Sequence, residues 1–257
     1  MSDTATTVTF EQPLTERVRT FLRLEFLFRQ HAHHRADLSE FGARATLQSL
    51  LDVLVVLSRS DLKNEIIKEL TDQQNTLTKL STKPGVDPER LRGALSEIAS
   101  ALQGLQQATT QFAATALRGH DFLISVLNRS TVPGGASAFD LPTYHHWLSK
   151  PEEVRRDLDA WYGEIKAFEQ AIGLYLRLLR KSVKPQDAVA VNGMYVHMPQ
   201  GPCSLLRVMV PLSAGVYPEI SAGKHRFSVR FMSVQDVHSR PHQAIGDIAF
   251  AMQCSNL

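Results

Sequence analysis

The sequence predicts an α+β protein, with an N-terminal helical bundle domain and a C-terminal antiparallel β domain. Three observations predict it. From Thr15 to about Lys184 apolar residues recur at intervals of three and four, the period of a helix with one buried face. After Pro185 the texture changes to short runs that alternate apolar and polar residues, the period of a strand. The two textures fall in separate blocks along the chain, which points to a helical body and a sheet. The expected boundaries are residues 1–14 as an N-terminal segment able to join the β domain, 15–185 as the helical domain and 186–257 as the β domain.

Taken in order, Val8-Thr9-Phe10 ahead of Pro13 is short and β-prone, able to add a strand to the later sheet. Leu47, Leu50, Leu51 and Leu54 then make one helical face, and Ile66, Leu70, Leu77 and Leu80 another. Lys83-Pro84-Gly85 stops the second of these helices. Asp87-Pro88 starts the next, with a capping carboxylate and a proline at the first helical position. Leu91, Leu95, Ile98, Leu102 and Leu105 follow with heptad spacing. Asp140-Leu141-Pro142 opens a short helix carrying His145, His146, Trp147 and Leu148. A longer seam runs through Val154, Leu158, Trp161, Ile165, Phe168, Ile172, Tyr175 and Leu179, a helix of about eight turns. Glu152 and Glu153 stand at its start and Arg180, Lys181 and Lys184 at its end, the arrangement that suits a helix dipole. Its stripe suits the spine of an antiparallel bundle or contact with a second subunit.

Beyond Pro185, Val189 to Val196 reads as two strand pieces around an Asn192-Gly193 turn. Ser204 to Leu212, Lys224 to Met232 and Asp247 to Met252 read as further strands.

With 257 residues, 43% hydrophobic and 21% charged, the chain can bury a core without metal or disulfide support. The N-terminus has no basic segment followed by an apolar one, and no apolar run approaches the roughly 20 residues of a spanning helix. A cytoplasmic protein without membrane insertion is expected. Cys203 and Cys254 lie far apart with no metal-ligand neighbourhood, and reduced thiols in or beside a sheet are expected. A net charge of +2 is too mild to argue for nucleic acid, so any electrostatic function must come from clustering.

Chemistry-bearing clusters are few. His31, His33 and His34 beside Asp37 read as a solvated helix end rather than a metal site. Ser137, Asp140 and His145 invite comparison with a hydrolytic triad, but Ser137 lacks the G-x-S-x-G elbow that exposes a nucleophile. Pro133-Gly134-Gly135 matches neither phosphate-binding glycine pattern. No catalytic residue, metal or cofactor is expected.

The residues that stand out are basic. In Lys224-His225-Arg226-Phe227-Ser228-Val229-Arg230-Phe231-Met232, strand parity puts Lys224, Arg226, Ser228 and Arg230 on one face and Phe227, Val229 and Phe231 on the other. Cations about 6–7 Å apart suit an extended acidic partner. The same alternation occurs on any solvated sheet face, so the strand alone leaves both readings open. A single-stranded nucleic-acid module is the alternative recognition class, but stacking platforms hold aromatics and cations on one face, and here parity separates them. Arg19 and Arg23 share a face of the first helix, Arg59 ends the second, and Arg118 and Arg129 bracket a short one.

The run from Phe10 to Leu27, FEQPLTERVRTFLRLEFL, resembles the opening of ZapD, a family of bacterial cell-division proteins. So do Pro133-Gly134-Gly135 with Phe139-Asp140-Leu141-Pro142-Thr143, His145 and Trp147-Leu148. Asn192-Gly193 with Tyr195, and Tyr217-Pro218-Glu219-Ile220-Ser221 through Arg226-Phe227 and Arg230-Phe231-Met232, extend the resemblance over nearly the whole chain. The resemblance implies a non-enzymatic factor, a helical domain plus a β domain, that binds the C-terminal tail of the tubulin-like GTPase FtsZ. As a symmetric homodimer it would bundle FtsZ filaments at the midcell division ring. It marks Arg226 and Arg230 as tail contacts, with Arg23, Arg59 and His145 as further candidates; Lys224 is added by strand parity. Asp121 stands where the family carries a basic residue, and His31 to Glu40, Gln186 to Val191 and Gln235 to Gly246 follow the family less closely.

Overall fold

The structure is a computed structural model that describes residues 6–37, 39–58, 61–81, 85–108, 120–199, 201–223 and 226–256. The chain forms two compact units, one from Thr20 to Leu176 and one combining the segment up to Arg19 with that from Arg177 onward. Both the helical body and the C-terminal antiparallel pairing expected from the sequence are present.

Helices α1 (Glu16–His34), α2 (Glu40–Leu57), α3 (Leu62–Leu80), α4 (Pro88–Gln107), α5 (Asp121–Ser130), α6 (Pro142–Leu148) and α7 (Pro151–Lys181) follow one another. Their apolar stripes are where the periodicity puts them. Phe21, Leu24 and Phe28 of α1 and Leu47, Leu50, Leu51 and Leu54 of α2 are buried, as are Ile165, Phe168, Ile172 and Tyr175 of α7. The Phe21 and Tyr175 rings meet edge to face at 5.1 Å. In α7 only Trp161 of the predicted seam is half-buried. On α3 and α4, Ile66, Leu70, Ile98 and Leu105 are buried, while Leu77, Leu80, Leu91, Leu95 and Leu102 are half-buried. The Asp87 carboxylate accepts from the backbone N–H groups of Glu89 and Arg90, with Pro88 at the first helical position, the cap that the sequence indicates. At the start of α2 Ser39 Oγ accepts from Gly42 N–H at 3.0 Å. A side chain on Gly42 would meet the Asp37 carbonyl oxygen at 2.3 Å, so this close approach requires glycine.

His31 departs from the solvated helix end expected for it. It is 2% exposed, its Nδ1 lies 3.2 Å from the Thr46 carbonyl oxygen, and its ring stacks on Tyr162 at 4.8 Å. Burial pulls its pKa below the usual imidazole value, against the opposing hydrogen bond to Thr46. His33 and His34 do close the helix, as expected.

The β unit holds β1 (Thr7–Pro13), β2 (Gln186–Ala190), β3 (Met194–His197), β4 (Leu205–Pro211), β5 (Val216–Ala222), β6 (Phe227–Ser233), β7 (His242–Gln243) and β8 (Ile248–Ser255). The N-terminal segment does add a strand, β1 pairing antiparallel with β4 from Thr7 opposite Pro211 to Pro13 opposite Leu205. Instead of one sheet there are two, in the orders β1-β4-β8-β2 and β3-β6-β5, with the short β7 also on β6. Leu206, Val208, Val210, Phe250 and Met252 from the first and Phe227, Val229 and Phe231 from the second share one buried core. Each half-apolar sheet thereby covers the other. The Asn192-Gly193 turn is the crossing point. Both residues have positive φ, 48° and 72°, and the chain passes from β2 in the first sheet to β3 in the second with only a Val191–Met194 bridge between them. Strand β5 escapes a sequence reading because Pro218 interrupts it; as an edge strand it tolerates a residue without an N–H.

The two cysteines form a disulfide rather than the reduced thiols expected. Pairing of Leu205 with Ser255, and the 2.8 Å bond from Ser204 N–H to the Ser255 carbonyl, lay the approach to β4 along the end of β8. Their Cα atoms come to 5.5 Å apart, within bonding range.

Candidate protein-binding face

Strands β5 and β6 form a hairpin closed by a 2.9 Å bond from Gly223 N–H to the Arg226 carbonyl. Along β6, Phe227, Val229 and Phe231 are buried, whereas Ser228 is half-buried and Arg230 exposed. The parity expected from the sequence therefore holds for the described residues. Because both phenylalanines lie in the sandwich core, neither is available to stack on a base, and the feature a nucleic-acid platform needs is missing from this strand.

Register fixes what surrounds the cations. Ser228 stands between Val196 on β3 and Ser221 on β5, and Arg230 between Met194 and Glu219. A cavity of about 390 Å³ opens on this face, lined by Met194, Val196, Ser221, Gly223, Arg226 and Ser228 among others. Arg226 and Arg230 are exposed, and among the described residues neither is held in an ion pair, even with Glu219 across from Arg230. Guanidinium groups left open beside hydroxyls and aliphatic side chains can accept carboxylates in bidentate pairs.

The outer face of the first sheet carries a different arrangement. Arg180 Nε and Nη2 donate to the two Glu11 carboxylate oxygens at 2.8 and 2.7 Å, and Arg207 Nε donates to Glu11 Oε1 at 2.9 Å. Arg207 also donates to Gln253 Oε1, and Gln253 Nε2 donates to the carbonyls of Arg180 and Val183. Burial pushes the Glu11 carboxyl up, but the hydrogen bonds and charges of Arg180 and Arg207 outweigh it and hold its pKa below the usual carboxylate value. These two arginines are structural.

The other expected site residues belong to other elements. Arg23 is exposed on α1, turned away from the buried Phe21 and Leu24. His145 is exposed on α6, which is anchored by buried Tyr144, Trp147 and Leu148 and by a 3.0 Å bond from Trp147 Nε1 to Asp157. Lys224 and Arg59, like Arg118, lie outside the described residues. Ser137 Oγ donates to Asp140 Oδ2 at 2.9 Å, and Asp140 faces Arg129 at 3.8 Å. That is a turn contact; His145 is not hydrogen-bonded to the serine, and no triad is assembled. Asp121 is exposed in the first turn of α5, where a negative charge suits the helix dipole. Met194 and Val196 were not legible as site residues. The only sequence signal for them is the alternation after Asn192-Gly193.

Comparison with known proteins places this geometry in a family. A family model described as ZapD, cell division protein, matches residues 22–230. The Cell division protein ZapD of Azoarcus sp. (strain BH72) is 37% identical over 247 residues, covering 95% of this chain and 98% of that protein. Those of Coxiella burnetii (strain RSA 331 / Henzerling II), 36% identical over 258 residues with 98% and 99% covered, and Bordetella pertussis (strain Tohama I / ATCC BAA-589 / NCTC 13251), 37% identical over 257 residues with 98% and 100% covered, agree. The chain belongs to the ZapD family of cell division proteins.

Proposed function

We propose that the protein binds the C-terminal tail of FtsZ on the outer face of the β3-β6-β5 sheet. As a homodimer it would cross-link and bundle FtsZ filaments in the cytoplasm, promoting ring assembly and septum formation at midcell. The observation that carries the reading is the exposed row Arg226 and Arg230, in no ion pair among the described residues, on a face that also offers hydroxyls and aliphatic side chains. Membership of a cell-division family supports it. Arg23 and His145, and Lys224 and Arg59, are further contacts in this proposal.

An exposed arginine–carboxylate pair contributes only about 0.2–1 kcal/mol, so a single tail is held weakly. A two-fold dimer carries two equivalent sites, and the second attachment then occurs at high effective concentration. Weak sites become a cross-link only when doubled; a monomer would decorate a filament without joining it to another. The protein should co-pellet with polymerised FtsZ, and deletion of the FtsZ tail should abolish this. Undiminished pelleting with tail-less FtsZ would contradict the proposal.

A further inference from the structure

Strand β3 has its polarity reversed. In a sheet with one wet face the aliphatic residues ordinarily turn inward and the polar ones outward. Here Tyr195 and His197 turn inward, Tyr195 meeting Phe250 at 5.2 Å and His197 meeting Phe227 at 5.1 Å, with the Tyr195 hydroxyl 3.2 Å from His197 Nδ1. Met194 and Val196 turn outward, 37% and 52% exposed. Their position on the sheet is specific. Met194 stands beside Arg230 and Val196 beside Ser228, and both line the 390 Å³ cavity that Arg226 also lines.

We infer that Met194 and Val196 are the specificity-determining half of the tail site, a paired apolar seat. It selects an acidic peptide that carries an aliphatic or aromatic side chain within a residue or two of its carboxylate. This deepens the proposed function and rests on it. Adjacent strands lie about 4.8 Å apart and alternate residues about 7 Å apart along a strand. A carboxylate over Arg230 therefore brings a neighbouring side chain of the same extended peptide over Met194 or Val196. Charge complementarity fixes the occupant as an acidic segment, because Arg226 and Arg230 have no carboxylate partner among the described residues. The cations attract any acidic chain; the aliphatic pair rejects those without an apolar anchor, whose carboxylates would gain nothing from the cavity.

The test is fluorescence anisotropy of a labelled FtsZ tail peptide, with a second peptide in which the apolar residues are replaced by serine and the acidic ones kept. Met194→Gln with Val196→Thr should weaken binding of the natural peptide about fivefold to tenfold without changing its salt dependence. The serine-substituted peptide should bind the unaltered protein with the same loss and show no further loss on the variant. If the variant fails to fold, the two peptides compared on the unaltered protein decide the matter. Equal affinity of the unaltered protein for both peptides overturns the inference. So does natural-peptide binding unchanged within twofold in the folded variant while Arg226→Glu with Arg230→Glu abolishes it. Absence of any tail binding by the unaltered protein overturns the proposed function itself, and with it this inference.

Discussion

On the outer face of the first sheet, Arg180 and Arg207 close on Glu11, with side chains 24%, 21% and 20% exposed. On the outer face of the second, Arg226 and Arg230 stand in solvent beside serines, Met194 and Val196. The residue type is the same and the roles differ. Where a carboxylate is folded in beside them, the guanidinium groups are consumed in stitching β1, β4, β8 and the end of α7 together. Where no carboxylate among the described residues closes on them, the charge stays open. For an arginine, the presence of a committed carboxylate separates the structural use from the recognition proposed for Arg226 and Arg230 more sharply than location on a sheet does.

Substitutions that cross the two roles test this division. The largest expected effect is on the paired side. Glu11→Gln takes away the carboxylate shared by two partly buried guanidinium groups and should destabilise the fold by about 3 kcal/mol, read as a lowered midpoint in urea, with tail affinity unchanged. A loss of tail affinity in the folded variant would show that the two faces are not independent. Its pH dependence sharpens the point. The folded-state pKa of Glu11 lies below its unfolded value near 4.5, so its contribution is present above that pH and lost as pH falls through the folded value. The difference in stability between the unaltered protein and Glu11→Gln should shrink on acidification below about pH 4.5, measured by urea titration at stepped pH.

The smallest effect is expected on the open side. Glu219 stands across from Arg230 without an ion pair between them, and its charge repels an incoming carboxylate. Glu219→Gln should tighten tail binding by about twofold, measured by anisotropy at low salt, and the gain should fade as salt rises. A weakened tail would mean that Glu219 is itself a contact.

Much of this was legible in the sequence, where the signal is local. Apolar spacing of three and four located the buried stripes of α2 and α7 and, on α4, buried Ile98 and Leu105, and strand parity separated Arg226 and Arg230 from Phe227 and Phe231. What was missed depends on long-range pairing. Glu11 meets Arg180 and Arg207 across 169 and 196 residues, and Cys203 meets Cys254 across 51; no periodicity encodes such encounters. Division into two sheets was missed because an Asn-Gly dipeptide signals a hairpin and a sheet-to-sheet crossing in the same way. The burial of His31 has no local signal, because its neighbours His33 and His34 end the helix while it lies one helical turn inside and faces Thr46 and Tyr162.

The central claim is that the open arginines of the second sheet recognise an acidic tail. It is tested most directly by the anisotropy of a labelled FtsZ tail peptide titrated with the unaltered protein and with Arg226→Glu plus Arg230→Glu. The account predicts salt-sensitive binding to the unaltered protein, a loss of at least about thirtyfold in the variant, and an unchanged urea midpoint, since neither arginine is in an ion pair among the described residues. Tail binding of equal strength in the charge-reversed protein would contradict it.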